Sequence, residues 1–183
     1  VITLESQLFS TTFGSEFNYK NWDLSILFTG QEGGDLFWVD SWQLSGLFRT
    51  RNQLSDSFEN SWKAPLSYSN GSIIYDPTVG NTVGATHPGA IIENGNRNTP
   101  SDRQVFDGSF VRLKNINLGY NFNFKTGKSL RLYVSGQNLL TWTKYPGYDP
   151  EVKTYTKNPQ RRGVDFGTYP GTKSYIFGLK FNY

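Results

Sequence analysis

The clearest pattern in the chain is the alternation of its last ten residues, 174–183. Tyr175, Phe177, Leu179, Phe181 and Tyr183 share one parity; Ser174, Gly178, Lys180 and Asn182 share the other, and Ile176 alone breaks the rule. Strand side chains alternate between faces, so this stretch predicts a strand with one aromatic, apolar face and one mostly polar face. The same period recurs upstream. Phe13, Phe17 and Tyr19 line up before Lys20-Asn21, a two-residue turn signal, and Trp22, Leu24, Ile26 and Phe28 then alternate with Asp23, Ser25 and Thr29. Further on, Ile116, Leu118, Tyr120, Phe122 and Phe124 interleave with Asn117, Gly119, Asn121 and Asn123. A row of asparagines makes a poor core and a good wall for water. Val111 and Leu113 sit on the opposite parity to Ile116, which predicts a bulge near Lys114. After a short turn at 125–129, Leu130, Leu132 and Val134 oppose Arg131, Tyr133, Ser135 and Gln137.

The connections between these strands alternate in length. They are short at 20–21, very long at 31–108, short at 125–129 and long at 143–172. Residues 1–12 read as a weak strand lead-in. Within the first long connection, Leu44, Leu47 and Phe48, then Leu54, Phe58 and Trp62, carry helical spacing and predict one or two short helices over 39–62. Residues 67–103 are rich in Asn, Gly, Thr, Ser and Pro and predict irregular loop. In an up-and-down sheet such alternation sends every long loop to one end. The strands span 9–15 residues, against roughly 5–6 in ordinary soluble sheets, and a strand crossing a bilayer takes about 9–11. The pattern therefore predicts an all-β chain, an antiparallel transmembrane β-barrel segment with long extracellular loops. About five strands cannot close a barrel, since the smallest use about eight, so more chain must supply the neighbours.

Composition agrees. Mean hydropathy is −0.52 although 16% of the residues are aromatic, as expected where every second strand position is aromatic or aliphatic and the rest are polar. The net charge of +3 and pI near 9.0 are mild, and the basic residues form no stripe, which argues against a nucleic-acid partner. With no Cys and a single His, His87, there is no thiolate or histidine metal site, and no cofactor is expected. The chain has no Met and no signal peptide at Val1, which predicts a piece of a longer protein or a processed product.

No catalytic constellation emerges. Thr126-Gly127-Lys128-Ser129 lacks the upstream glycine of a phosphate loop, Phe122 standing in its place, and reads as a hairpin turn. Gly33-Gly34 reads as a loop start. The acidic residues Asp35, Asp102, Asp107, Asp149, Glu151 and Asp165 sit in loops, and no spacing selects a glycosidase pair or a calcium site among them. His87 reads as a solvated loop residue. Trp38, Trp42, Trp62, Trp142, Tyr145 and Tyr148 lie in or beside the long loops and are the candidate contacts to a substrate or a lid. The competing reading has them packing the loops or forming an interfacial aromatic girdle.

Several stretches resemble the C-terminal barrel part of SusC/RagA-type TonB-linked outer-membrane proteins, the TonB-dependent receptors. They are Asn18-Tyr19-Lys20-Asn21-Trp22-Asp23-Leu24-Ser25; Gly33-Gly34-Asp35-Leu36-Phe37; Asp107-Gly108-Ser109-Phe110-Val111-Arg112-Leu113-Lys114-Asn115; Leu130-Arg131-Leu132-Tyr133-Val134-Ser135-Gly136-Gln137-Asn138-Leu139-Leu140-Thr141; Tyr145-x-Gly147-Tyr148-Asp149-Pro150-Glu151-Val152; and Tyr169-Pro170-Gly171. Residues 40–100 show no shared pattern. The resemblance implies that residues 1–183 are the C-terminal part of one barrel domain of about 22 strands, with the plug and the upstream strands lying outside them. It implies a Gram-negative outer membrane, extracellular loops, a periplasmic C-terminus, energy through TonB and a SusD-like surface lipoprotein as lid. The cargo would be an oligosaccharide or a peptide. It also implies that Phe177, Leu179, Phe181 and Tyr183 are read by the barrel-assembly machinery, and it implies no catalytic residue. Two other readings remain at this stage: a passive or structural outer-membrane barrel, and a secreted β-sandwich carbohydrate-binding module.

Overall fold

A computed structural model describes residues 9–45, 52–76, 78–80, 83–87, 89, 100–152 and 163–183. Its centre is one five-stranded antiparallel sheet. In chain order the strands are β1 (Phe9–Tyr19), β2 (Trp22–Glu32), β3 (Asp35–Trp38), β4 (Leu66–Ser69), β5 (Ser72–Tyr75), β6 (Val105–Asp107), β7 (Phe110–Asn123), β8 (Ser129–Thr143), β9 (Val164–Asp165) and β10 (Ser174–Asn182). The long sheet runs β1-β2-β7-β8-β10, so the strands follow chain order with the two long loops left out. The two short turns lie at one end. Lys20 adopts φ 54° in the first, and in the second Gly127 adopts φ 79° while Phe124 donates its N–H to the Lys128 carbonyl at 2.9 Å. The Thr126–Ser129 stretch is thus a hairpin turn, as its missing glycine implies.

Register puts the alternating residues where the sequence assigns them. Trp22, Tyr120 and Leu132 are aligned across neighbouring strands, as are Leu24, Leu118, Val134 and Phe177. The polar row through Ser25, Asn117, Ser135 and Ile176 occupies the other face. The expected bulge is present. Leu27 pairs with Asn115 and the next residue, Phe28, pairs with Leu113, so Lys114 is an extra residue in β7. On its other side β8 fits in Asn138 and Leu139, with Asn138 at φ 51°. The extra residue keeps Val111 and Leu113 on the apolar face despite their changed parity.

That apolar face carries aromatics at both ends. Trp22 and Tyr120 meet edge to face at 4.7 Å near the short turns, and Phe28 lies 6.5 Å from Trp142 near the long loops. Leu24, Ile26, Ile116, Leu118 and Val134 fill the middle, and Leu132 lies in the Trp22 row. Among the described residues no second sheet covers this face, and Leu132, Phe177 and Leu179 are exposed. A sandwich would bury this face, so the carbohydrate-module reading loses its architecture.

The buried apolar residues gather instead among the loops. Leu36, Trp38 and Tyr145 form a small core with Leu44, Phe106 and Val152 packed against it. A second sheet, β6-β3-β9, frames it, with β3 antiparallel to β6 and parallel to β9. The helical spacing becomes two short helices, α1 (Asp40–Ser45) and α2 (Ser55–Glu59); Leu47 and Phe48 lie outside the described residues. The 67–103 stretch departs from its loop expectation. It holds β5 and most of β4, paired as a hairpin, and a 3-10 turn at Asp102–Gln104. Asn70 and Gly71 take φ 50° and 77°, the pair of positive angles a tight hairpin turn demands. His87 is also less solvated than expected: its backbone joins Asn60 and Trp62, and burial, with Arg103 nearby, lowers its pKa against the pull of Asp56.

Candidate functional site

Where the long loops meet the sheet, three sequence motifs converge on one ionic cluster. Arg112, on the polar face of β7 just before the bulge, donates Nη2 to Asp149 Oδ1 and Nη1 to Glu151 Oε2, the latter at 3.1 Å. The bulge residue Lys114 stands 3.6 Å from the same Glu151 oxygen. Asp149 further accepts the Gly171 N–H and the Glu151 N–H, both at 2.9 Å. Arg112 and Asp149 expose only 4% and 6% of their side chains, so neither charge would be tolerated there alone. Burial works to raise the Asp149 pKa, but the Gly171 N–H, Arg112 and the Glu151 N–H outweigh it, and the carboxyl is held below its ordinary value. A Cβ at Gly171 would meet Arg112 Nη1 at 3.4 Å, an ordinary contact, so this position's part in the cluster is its backbone N–H.

A second knot lies alongside. The Ser109 Oγ and N–H donate to Asp107 Oδ1, the Gly33 N–H donates to Ser109 Oγ, and Thr143 Oγ1 donates to the Ser109 carbonyl. Ser109 hydrogen bonds lower the Asp107 pKa. Gly108 tolerates no Cβ, which would lie 2.7 Å from the Gly34 carbonyl oxygen. Deeper in the loop body, Asp165 is fully buried and accepts the Tyr145 hydroxyl at 2.6 Å and the Thr168 N–H at 2.8 Å. Burial, then the bond to Asp165, pushes the Tyr145 pKa far up, so the phenol stays protonated. The Phe37 N–H to Gly163 carbonyl bond and the Val39 N–H to Asp165 carbonyl bond complete the join. The two long loops are therefore one packed platform, fastened to the sheet through Arg112 and Ser109.

The six candidate aromatics divide. Trp38 and Tyr145 are spent in the platform core, 6% and 4% exposed, which removes them from direct contact with any ligand on its surface. Trp42 packs edge to face on Phe37 at 5.5 Å and is half-buried. Trp142 lies on the apolar face of the sheet, aligned with Val111, in the girdle position. Trp62 and Tyr148 are exposed, Tyr148 the more so. Phe177, Leu179 and Phe181 face outward on β10, and Tyr183 follows its end, exposed. Periodicity could not find the ionic cluster, because Arg112 and Asp149 pair across 37 positions. The available signal was an Arg on the polar parity beside a predicted bulge, with an acidic pair in the following long loop.

Fold and site together define the wall of a β-barrel with a loop platform at one end. Comparisons with known proteins give the same answer. The chain is 36% identical over 184 residues to TonB-dependent receptor P3 of Formosa agariphila, covering 96% of this chain and 16% of that protein. It is 36% identical over 89 residues to TonB-dependent receptor SusC of Bacteroides thetaiotaomicron, covering 45% of this chain and 8% of SusC. Its fold is similar to the RagAB peptide importer in the closed-closed state, with a TM-score of 0.65 at 21% identity over 96% of this chain and 17% of that one. No protein-family model matches the chain. By sequence and fold the chain is a SusC/RagA-like segment of a TonB-dependent receptor barrel, and it spans only about a sixth of the length of its full-span relatives, 16% of P3. TonB-dependent receptors are outer-membrane proteins, so the exposed apolar face is the one that meets lipid. The row of Trp22 and the row of Trp142, which Gly30 shares, are eight residues apart along β2. That is about 27 Å of strand at ~3.4 Å per residue, or about 20 Å along the membrane normal after the usual tilt, comparable with the roughly 25 Å apolar band of such barrels.

Proposed function

We propose that the chain supplies part of the wall and the extracellular surface of an active outer-membrane importer of oligosaccharides or peptides. In this reading it belongs to the C-terminal part of the barrel domain, the importer is energised through TonB, and a SusD-like surface lipoprotein covers the loop platform. One observation carries the lid. In the β4–β5 hairpin, Leu66 pairs with Tyr75 and Tyr68 with Ile73, so these four share a face, and they are 50%, 72%, 75% and 69% exposed respectively. An isolated two-stranded hairpin is marginal in water, and an apolar face on a water-side loop calls for cover. Tyrosines and exposed Trp62 and Tyr148 are the side chains that anchor protein interfaces.

The test uses the full-length protein in its native membrane, extracted in mild detergent. Wild type should bring a surface lipoprotein with it. Replacing residues 40–100 by a Gly/Ser linker, or making Tyr68→Ser with Ile73→Ser, should release that partner and reduce uptake of glycan or peptide while the barrel still assembles. Retention of the partner and of uptake in both variants would reject the lid reading.

A further inference from the structure

One rung of the long sheet alternates long side chains with none. Asp23 on β2, Gly119 on β7, Tyr133 on β8 and Gly178 on β10 are aligned across four neighbouring strands, on the polar face. Each long side chain lies over the glycine beside it. Asp23 reaches across Gly119 to accept Arg131 Nη2 at 2.5 Å, and a Cβ on Gly119 would lie 2.6 Å from both Asp23 oxygens and 2.8 Å from Arg131 Nη2. The Tyr133 ring crosses Gly178 in the same direction, so closely that a Cβ there would fall against Cζ, Cε1 and the hydroxyl oxygen. The Arg131 guanidinium stands over the same ring, its carbon 6.0 Å from the centroid. Strand β10 depends on this contact more than the others do, since among the described residues β8 is its only partner.

The rest of the β8–β10 pairing discriminates poorly between registers. A slip of one residue would turn the apolar face inward, but a slip of two keeps every side chain on its face and preserves the pattern of ladder hydrogen bonds. On the outer face Leu130, Leu132 and Val134 oppose Phe181, Leu179 and Phe177, so a slip of two sets apolar against apolar again. On the inner face charge favours slipping, because Arg131 is directly opposed to Lys180 and either slip separates them. An exposed hydrogen bond from Asn182 Nδ2 to Ser129 Oγ adds a weak preference for the observed register. The ring discriminates further: a slip of two sets Tyr133 opposite Ile176 or Lys180, whose side chains occupy the space that Gly178 leaves open. We propose that Tyr133 and Gly178 are a register key, a ring and a notch that hold β10 in step with β8 against slips of two residues. Strand stagger and barrel size are linked, so such a slip would change the shear of the wall. The key rests on the barrel-wall assignment and not on what the barrel imports.

Disulfide trapping in a cysteine-free full-length protein, assembled in the outer membrane, reads the register. Leu132→Cys with Leu179→Cys reports the observed pairing, and Leu132→Cys with Phe177→Cys or with Phe181→Cys reports the two slips. Brief oxidation of the assembled protein, followed by peptide mass spectrometry, gives the yield of each pair. With Tyr133 and Gly178 intact the 132–179 pair should dominate. Tyr133→Ala should raise the yield of the slipped pairs relative to 132–179 at least about two-fold. Gly178→Ala, which expels the ring from the notch, should do the same and carries the reading alone if Tyr133→Ala fails to assemble; Tyr133→Phe should leave the ratio unchanged. Moving the notch, with Gly178→Ile and Ile176→Gly together, should draw yield to the 132–177 pair, which sets the ring over the new glycine. Ratios that stay at the wild-type value in the alanine variants overturn the key.

Discussion

Arg112 shows how a single residue turns a motif into a mechanism. Its guanidinium binds the two acids of the Asp149-Pro150-Glu151 turn, and Gly171 closes the ring by donating its N–H to Asp149. Breaking one member of a buried pair leaves an uncompensated charge, at a cost of about 3–5 kcal/mol. Arg112→Met should therefore free the 143–172 loop, seen as faster protease nicking of that loop in an assembled barrel. The pH dependence follows from the depressed Asp149 pKa. The unfolded loop takes up the proton first as pH falls, so the contribution is complete at neutral pH and disappears only as acidification passes below the ordinary carboxylate range, about pH 4. Protection in wild type should hold at pH 5 and fail below that range. A second contrast concerns the wall. Leu132 lies on the lipid face between Tyr120 and Leu179, while Ser135 faces inward and donates to Asn115 Oδ1. Ile116→Lys, midway between the Trp22 and Trp142 rows, should cost about 2–4 kcal/mol, whereas Leu132→Lys, level with Trp22 near the interface, should cost about 1 kcal/mol or less, and Ser135→Lys little, measured as the denaturant midpoint in lipid vesicles.

At the scale of elements, the long strands were readable because membrane walls obey a strict period of two. Alternation alone placed Leu24, Leu118, Val134 and Phe177 on one face, and the register agrees. Even the bulge was visible, as the parity break at Leu113 and Ile116. The short elements were not. The Asn70-Gly71 turn signal lay in a stretch dominated by loop residues, and strands of four residues carry too little periodicity to stand out. The parallel pairing of β3 with β9 joins segments more than a hundred positions apart and leaves no local trace. For Trp38 and Tyr145 the sequence leaves contact and loop packing both open, because an aromatic in a loop has the same local signature whether it points outward or, as here, plugs a small core. The bulge makes its own prediction. Deleting Lys114 removes the extra residue and the parity break together, leaving Leu113 opposite Phe28, so the protein should still assemble; inserting a further residue beside Lys114 would turn Val111 and Leu113 to the polar face, and the heat-modifiable, assembled form of the full-length protein should be lost. Lys114→Ala, which keeps the extra residue, should assemble and lose only its contact with Glu151.

At the scale of the whole molecule, one layer of long strands does two jobs. Its apolar face, aromatic at both ends, meets lipid, and its polar face carries the anchor of the platform and the Tyr133 ring seated over Gly178. The loops are tied to the wall at fixed points rather than left as separate covers, so a partner resting on the platform would be mechanically joined to the barrel. All of this depends on the inward and outward assignment of one strand, β7, whose outward parity switches at Lys114. The most direct measurement is a single-cysteine scan of residues 110–123 in a cysteine-free full-length protein, assembled in the outer membrane; this segment contributes no native thiol. A lipid-phase quencher should reach labels at 111 and 113, then at 116, 118, 120 and 122, while a water-soluble thiol reagent favours 115, 117 and 121. Alternation that runs through Lys114 without a shift of phase, or equal access from water at every position, would contradict the account.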